Sequence, residues 1–127
     1  MEARVCVLAG DGVGKEVTTE SMKVLEAICK KYDHNFEFIH AIVGGEAIDK
    51  FNNPLPAESL NLALGSDAIL FGAVGGPKWD NVERNKRPEA ALLRLRKEMD
   101  LFANLRPAVV FDALADSSSL KIELIKG

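Results

Sequence analysis

Residues 72–107 read GAVGGPKWDNVERNKRPEAALLRLRKEMDLFANLRP. The stretch begins with a glycine-rich turn directly after a short apolar run, and it continues through a polar loop containing the only tryptophan, Trp79. A helix is predicted over residues 89–99, because Pro88 is tolerated in a first helical turn and the residues after it are good helix formers.

The predicted helix has two faces of different character when its residues are placed at 3.6 per turn. One face is a plain apolar stripe assigned to the core: Ala91, Leu95 and Met99. The other combines an acid, two branched apolar side chains and a guanidinium: Glu89, Leu92, Leu93 and Arg96. This mixture fits a small ligand with a carboxylate and an alkyl group, since arginine can bind a carboxylate through two parallel N–H groups. An amphipathic helix whose arginine extends into water explains the same pattern.

Another glycine turn lies near the start of the chain. Residues 4–9 are apolar and β-branched enough for a buried strand, and Gly10-Asp11-Gly12-Val13-Gly14 follows as a tight turn. A helix is predicted over about residues 15–31, with one apolar face formed by Val17, Val24, Leu25 and Ile28. A strand, a glycine turn and a helix N-terminus often bind an anion or a cofactor, but a simple connection explains them equally well.

This first turn does not match a Rossmann dinucleotide-binding motif. Its glycines are spaced GxGxG rather than GxGxxG. A Rossmann site also needs an acid about 20 residues further on, at the end of the second strand. The predicted second strand, residues 35–41, ends on His40, Ala41 and Ile42 instead. A Rossmann fold is therefore excluded.

The rest of the first hundred residues alternates between strand and helix signals. Gly44-Gly45 breaks the chain after the second strand, and residues 52–56 form a loop. Residues 57–64 predict a short helix, and residues 67–74 predict a buried parallel strand. The order predicts an α/β fold with a largely parallel sheet and flanking helices. Ligands bind such folds beyond the carboxyl ends of the strands, where both glycine turns would open.

The composition excludes several classes of function. The chain has 127 residues, of which 47% are hydrophobic, and a net charge of −3 without a basic stripe, so nucleic acid is not an expected partner. The sequence shows no leader pattern, and no apolar run reaches the roughly 20 residues that cross a bilayer. A cytoplasmic protein without membrane attachment is therefore expected. Cys6 and Cys29 lack metal-binding spacing and are expected to be buried or half-buried thiols.

The motifs resemble the isocitrate/isopropylmalate dehydrogenase family, and within it the 3-isopropylmalate dehydrogenases, which oxidise and decarboxylate their substrate in leucine biosynthesis. The resemblance rests on GAVGGPKWDN, the RPE before the helix, LLRLRK and LFANLRP. The opening GDGVGKEV is similar to the family's GDGIGPEV, except that Lys15 replaces a proline. A cation there is mildly unfavourable to the helix dipole, and we interpret it as tolerated rather than as a phosphate ligand. Isocitrate enzymes look different at Leu92 and Leu93.

The resemblance also implies a set of ligand-binding residues. Arg96 and Arg106 would bind the substrate carboxylates, and Leu92 and Leu93 would meet the isopropyl group. NAD would be bordered by residues of both glycine turns, the following loop and the helix start: Val13, Gly76, Pro77, Lys78, Trp79, Asp80, Asn81 and Glu89. Purely structural roles remain an alternative for these residues, for example Trp79 in the core or Lys78 as a solvated loop charge.

By the same resemblance, residues 1–106 belong to a cofactor-side first domain and residues 107–127 begin a second domain. The Mg²⁺ or Mn²⁺ ligands, the proton-transfer groups and parts of a homodimer interface would lie beyond Gly127. We therefore expect no catalytic residue and no metal ligand in these residues, and an incomplete fold that is inactive alone. Two alternatives stay open: a non-catalytic module or pseudoenzyme of the family, and a generic α/β domain that binds another phosphate compound.

Overall fold

The computed structural model describes residues 1–107, 111, 117 and 119–121. Its helices and strands are, in chain order, β1 (Glu2–Gly10), α1 (Val13–Tyr32), β2 (Asn35–His40), α2 (Gly45–Phe51), α3 (Ala57–Leu64), β3 (Ala68–Ala73) and α4 (Glu89–Glu98). Two single 3-10 turns, Pro77–Trp79 and Arg84–Lys86, lie between β3 and α4. Most of the predicted second-domain segment, residues 107–127, lies outside the described residues.

The three strands form one parallel sheet in the order β2-β1-β3. The central strand, β1, pairs with both neighbours, so that Val5 lies opposite Phe38 on one side and Ala68 on the other. Alternate residues of a strand point to opposite faces of the sheet. Cys6 and Leu8 therefore face α3 and α4, whereas α1 covers the other face. Helices on both faces of a parallel sheet confirm the predicted α/β fold.

The main core lies between the sheet, α3 and α4. Its buried members are Cys6, Leu8, Val43, Leu55, Leu60, Ala63, Ala91 and Leu95. Met99 packs against this cluster, so the predicted core stripe of the last helix is confirmed. Burial raises the pKa of the Cys6 thiol above its ordinary value, because desolvation disfavours the thiolate. Cys29 is half-buried, as expected.

Helix α1 lies against the sheet through small residues at its first turns. A Cβ at Gly14 would come within 2.3 Å of the carbonyl oxygen of Ala9 and 2.6 Å of that of Ala73. A Cβ at Gly72 of β3 would lie 2.6 Å from Oγ1 of Thr18. Only glycine permits such a close approach, and it allows the N-terminus of α1 to sit directly on the carboxyl edge of the sheet.

The apolar face predicted for α1 is not the face that contacts the sheet. Val17, Val24 and Ile28 are 46%, 59% and 37% exposed, and only Leu25 of the predicted set is half-buried. The contact is made instead by the side of the helix that carries Gly14 and Thr18. α1 thus has a second apolar stripe that no described residue covers.

β3 is less buried than its apolar sequence predicts. Five of its six residues are half-buried and the first is exposed. The strand pairs only with β1 in the described part of the chain, which leaves its outer edge open. No helix among the described residues is both long and apolar enough to cross a bilayer.

Helix α2 was not predicted, because Gly44-Gly45 was interpreted only as a break. Gly44 has a φ of 80°, and α2 begins at the next residue without a side-chain cap from its own N-cap residue. The C-terminus of α2 is capped by Asn52 in the left-handed conformation, and the backbone N–H of Asn52 donates to the carbonyl oxygen of Ile48. The missing cap comes from a distant residue in the first glycine turn.

Candidate functional site

The carboxylate of Asp11 joins three segments at the carboxyl edge of the sheet. Its Oδ2 accepts the backbone N–H of Gly45 at 2.7 Å and of Gly75 at 3.0 Å, and its Oδ1 accepts that of Glu46 at 2.9 Å. The backbone N–H of Asp11 donates to the carbonyl oxygen of Ala73 at 2.7 Å. The two glycine turns, predicted to open onto one crevice, are therefore held against each other.

Asp11 is also the cap of α2. It is only 5% exposed, and its negative charge lies at the N-terminus of that helix, where the helix dipole and the free N–H groups favour it. Sequence reasoning missed this role, since the capped residues lie 34 and 35 positions away. The available signal was an acid placed between two glycines of a tight turn.

The loop after the second glycine turn packs on α2. The indole N–H of Trp79 donates to Oδ1 of Asp49 at 3.1 Å, and the amino group of Lys78 donates to Oδ2 of the same carboxylate. A Cβ at Gly45 would come within 2.3 Å of the Trp79 ring, so the indole covers the first turn of α2. Trp79 is half-buried, and thus lies at the surface of α2 rather than in the main core.

Lys15, the departure from the family's opening motif, has a partner on the helix that was not predicted. Its amino group lies 2.7 Å from Oε2 of Glu46. The hydrogen bond with Glu46 raises the pKa of Lys15, and the hydrogen bonds from Lys15 and Lys50 lower the pKa of Glu46. α2 thus supplies a carboxylate for the cation at the start of α1, and the interpretation of Lys15 as tolerated rather than as a phosphate ligand stays a prediction.

The predicted substrate face of α4 points away from the core and begins beside the second glycine turn. A Cβ at Gly75 would lie 2.7 Å from Oε1 of Glu89, so this carboxylate rests on the turn. Leu93 is 66% exposed, while Leu92 and Arg96 are half-buried. The structure therefore places the start of this helix face, at Glu89, beside the second glycine turn.

Two arginines of α4 differ in their surroundings. Arg94 donates to the carbonyl oxygen of Leu55 at 3.2 Å and lies 3.8 Å from the carboxylate of Glu98. The guanidinium of Arg96 makes no hydrogen bond or ion pair with any described residue. A half-buried guanidinium without a partner in the described part of the chain is available to a carboxylate ligand.

The remaining predicted site residues are exposed. Val13 is the first residue of α1 and is 58% exposed. Pro77, Lys78, Asp80 and Asn81 are exposed on the loop, after Gly76. Arg106 is exposed beyond α4, outside any helix or strand, and no hydrogen bond or ion pair joins it to a described residue. The structure thus brings the predicted cofactor residues and Glu89 to one edge, but it does not connect Arg106 to them.

The described residues differ in how they fit the two expected cofactors. Gly12 has a φ of 49° and faces open space, so a ligand can approach the backbone of the first turn. In contrast, the described part of the chain contains no group of three or more His, Cys, Asp or Glu side chains that could hold a metal ion. We therefore assign no chemical step to a metal.

The chain belongs to the isocitrate/isopropylmalate dehydrogenase family, whose pattern matches residues 4–127. It is 56% identical over 124 residues to the 3-isopropylmalate dehydrogenase of Aquifex aeolicus, covering 98% of this chain and 34% of that protein. It is 51% identical over 127 residues to the 3-isopropylmalate dehydrogenase of Pseudomonas savastanoi, covering 100% and 35%. The chain spans about a third of the length of these relatives.

Solved structures agree with the fold. The β-decarboxylating dehydrogenase of Thermococcus kodakarensis superimposes with a TM-score of 0.62 at 33% identity, over 77% of this chain and 27% of that one. The isocitrate dehydrogenase of Methylococcus capsulatus gives a TM-score of 0.66 at 26% identity, over 85% and 29%. The family is one of decarboxylating dehydrogenases, and the resemblance predicted from the motifs is confirmed.

Proposed function

We propose that the chain is the amino-terminal, cofactor-side part of an NAD-dependent 3-isopropylmalate dehydrogenase of leucine biosynthesis. Residues 1–106 would contribute to the first domain, and residues 107–127 would begin the second. The complete enzyme would work as a cytoplasmic homodimer. The identities of 56% and 51% to relatives of that name support the choice of substrate.

The observation that carries the proposal is the guanidinium of Arg96, which has no partner among the described residues and lies beside two leucines. Arg96 would bind a substrate carboxylate through paired N–H groups, and Arg106 would bind the other. Leu92 and the exposed Leu93 would cover the isopropyl group, because burial of an alkyl group between apolar side chains is favourable. This face distinguishes a 3-alkylmalate from a substrate with a third carboxylate, which two leucines would leave unpaired.

The cofactor would lie along the two glycine turns that Asp11 holds together. Val13 and residues 76–81 would border it, with Glu89 at the end nearest the substrate. Bound NAD supplies the acceptor for the hydride that leaves the substrate's C2. The part of the chain described here would bind and orient both molecules, and the proton-transfer groups and the Mg²⁺ or Mn²⁺ ligands would come from segments outside it.

A chimera tests this proposal. Residues 1–127 are joined to the part of the Aquifex aeolicus relative that follows the aligned region, and NADH formation is measured with 3-isopropylmalate, NAD and Mn²⁺. We expect turnover that disappears with isocitrate as substrate. A folded dimeric chimera that binds NAD without turnover would support a non-catalytic module instead. Calorimetric binding of NAD with no response to isopropylmalate would support a generic phosphate-binding domain.

A further inference from the structure

Helix α2 contacts the first glycine turn and the loop that follows the second. Its N-terminus is held by the carboxylate of Asp11, through the backbone N–H groups of Gly45 and Glu46. Its last turn carries Asp49, whose carboxylate reaches the loop after the second glycine turn. The helix therefore connects the first turn to a loop that is remote in sequence.

The loop has one other side-chain attachment among the described residues, from the guanidinium of Arg87 to the carbonyl oxygen of Asp80 at 2.6 Å. The backbone hydrogen bonds of its 3-10 turn are local: Trp79 N–H donates to Gly76 at 3.0 Å, and Asp80 N–H donates to Pro77 at 3.3 Å. Among the described residues, the side-chain hydrogen bonds of the 3-10 turn to other parts of the chain both end on Asp49. Arg87 thus holds the end of the loop at Asp80, whereas the position of the 3-10 turn on α2 depends on Asp49 and on the contact of the indole with that helix.

We propose that Asp49 is a positioning residue for the cofactor-bordering loop, residues 76–81. Its carboxylate fixes the indole of Trp79 and the amino group of Lys78 on α2, and this keeps the loop backbone open along the glycine turns. The identity of the ligand rests on the proposed function, whereas the positioning of the loop does not.

The two contacts of Asp49 are unequal. The amino group of Lys78 is on a side chain that is 65% exposed, and the Asp49 side chain is 41% exposed, so solvent screens this ion pair. The Trp79 contact combines a hydrogen bond with the packing of a large ring on Gly45, where a Cβ would be 2.3 Å away. We therefore assign most of the positioning to the Trp79 contact.

Because the two contacts are unequal, two substitutions of Asp49 should have different effects. Asp49→Asn keeps an oxygen that can accept the indole N–H but removes the charge that Lys78 pairs with. Asp49→Ala removes both contacts. Glu20→Ala is the matched control, since Glu20 is an exposed acid of α1 that pairs only with Lys23 on the same helix.

The experiment compares the three variants with the unaltered chain at low temperature. Trp79 is the only tryptophan, so its emission and its quenching by acrylamide report on the loop alone. We expect Asp49→Ala to shift the emission to longer wavelength, to increase quenching and to weaken NADH binding about two- to fivefold. We expect Asp49→Asn and Glu20→Ala to stay close to the unaltered chain, and the circular dichroism spectra of all three variants to match that of the unaltered chain.

The outcomes separate this inference from the proposed function. Unchanged Trp79 emission and quenching in Asp49→Ala, with circular dichroism showing the chain folded, overturns the positioning role. An equal change in Asp49→Asn and Asp49→Ala overturns the assignment to the indole contact. A failure of the unaltered chain to bind NADH counts against the cofactor assignment, while the emission comparison still decides the role of Asp49.

Discussion

Asp11 and Gly75 are 64 residues apart in sequence, yet Oδ2 of Asp11 accepts the backbone N–H of Gly75 at 3.0 Å. The same carboxylate caps α2, so one buried side chain sets the spacing of three segments. In the proposed enzyme these segments border the cofactor. The geometry of the site would then depend on an acid that itself needs no contact with any ligand.

Asp11→Ala is expected to destabilise the fold strongly. The substitution leaves three N–H groups without their charged acceptor, and we expect the free energy of unfolding to fall by about 3 kcal/mol. Urea unfolding followed by circular dichroism measures the loss. Asp67→Ala is the control, because the exposed Asp67 accepts only the N–H of Arg4, at 2.8 Å. Equal losses in the two variants would show that Asp11 has no special structural role.

Arg96→Ala is expected to impair substrate binding in the active chimera without affecting the fold. A lost hydrogen-bonded charge pair weakens the binding of 3-isopropylmalate by about 1.5–3 kcal/mol, measured from KM and kcat. Arg94→Ala, which removes contacts only to Leu55 and Glu98, should leave both constants nearly unchanged. A larger effect of Arg94→Ala than of Arg96→Ala on these constants would show that Arg96 does not bind the substrate.

Arg106→Ala should weaken substrate binding by the same amount of about 1.5–3 kcal/mol if Arg106 binds the second carboxylate. Because no described residue pairs with Arg106, its loss should leave the melting temperature of the chimera unchanged. An unaltered KM and kcat would assign Arg106 to the surface.

The ion pair between Asp49 and Lys78 should be lost only at low pH. The hydrogen bonds from Lys78 and Trp79 hold the pKa of Asp49 below its ordinary value of 3.8. A lowered pKa stabilises the folded arrangement above the ordinary pKa, and this contribution is lost as the pH falls through the lower value. The difference in melting temperature between the unaltered chimera and its Asp49→Asn variant should therefore be constant from pH 7 to about 4 and shrink below it. Trp79 emission should change little, because protonated Asp49, like asparagine, keeps an oxygen that accepts the indole N–H. A difference that shrinks above pH 5, or a change in Trp79 emission that follows it, would contradict this assignment.

The polypeptide of residues 1–127 should self-associate and form no NADH by itself. The outer stripe of α1 exposes Val17, Val24 and Ile28, and the outer edge of β3 is unpaired in the described chain. Exposed apolar stripes and open strand edges favour association. Sedimentation should show a smaller mean mass after the double substitution Val24→Gln and Ile28→Gln, but not after Lys23→Gln. A monomer with a sharp melt would contradict the expectation of an incomplete fold.

Residue patterns within short segments predicted those parts of the fold that depend on residues close in sequence. Pro88 and the helix formers after it located α4, and the core stripe of Ala91 and Leu95 followed from the helical period. α2 could not be predicted, because Asp11 caps it from another part of the chain. The partner of Lys15 was missed for the same reason, since Glu46 lies on that helix.

The candidate site could likewise be predicted only in part from the sequence. The face of Glu89, Leu92, Leu93 and Arg96 could be read from spacing, and the resemblance supplied its ligands. Residue spacing could not show that Arg94 has protein partners while Arg96 has none among the described residues, because both arginines lie on a helix with solvent on several sides. A long-range hydrogen bond distinguishes them, since Arg94 donates to the carbonyl oxygen of Leu55 and Arg96 does not.

The sheet order has a consequence for how the chain folds during synthesis. β1 leaves the ribosome first but is the central strand, and its partners are β2 and β3, at residues 35–40 and 68–73. No hairpin can nucleate a sheet whose strands are all parallel, so each pairing must wait for a distant segment. At about 5–20 residues per second, β1 remains with one open edge for several seconds before β3 emerges. The nascent chain therefore passes through a stage in which the apolar β1 has an edge that awaits its partner strand.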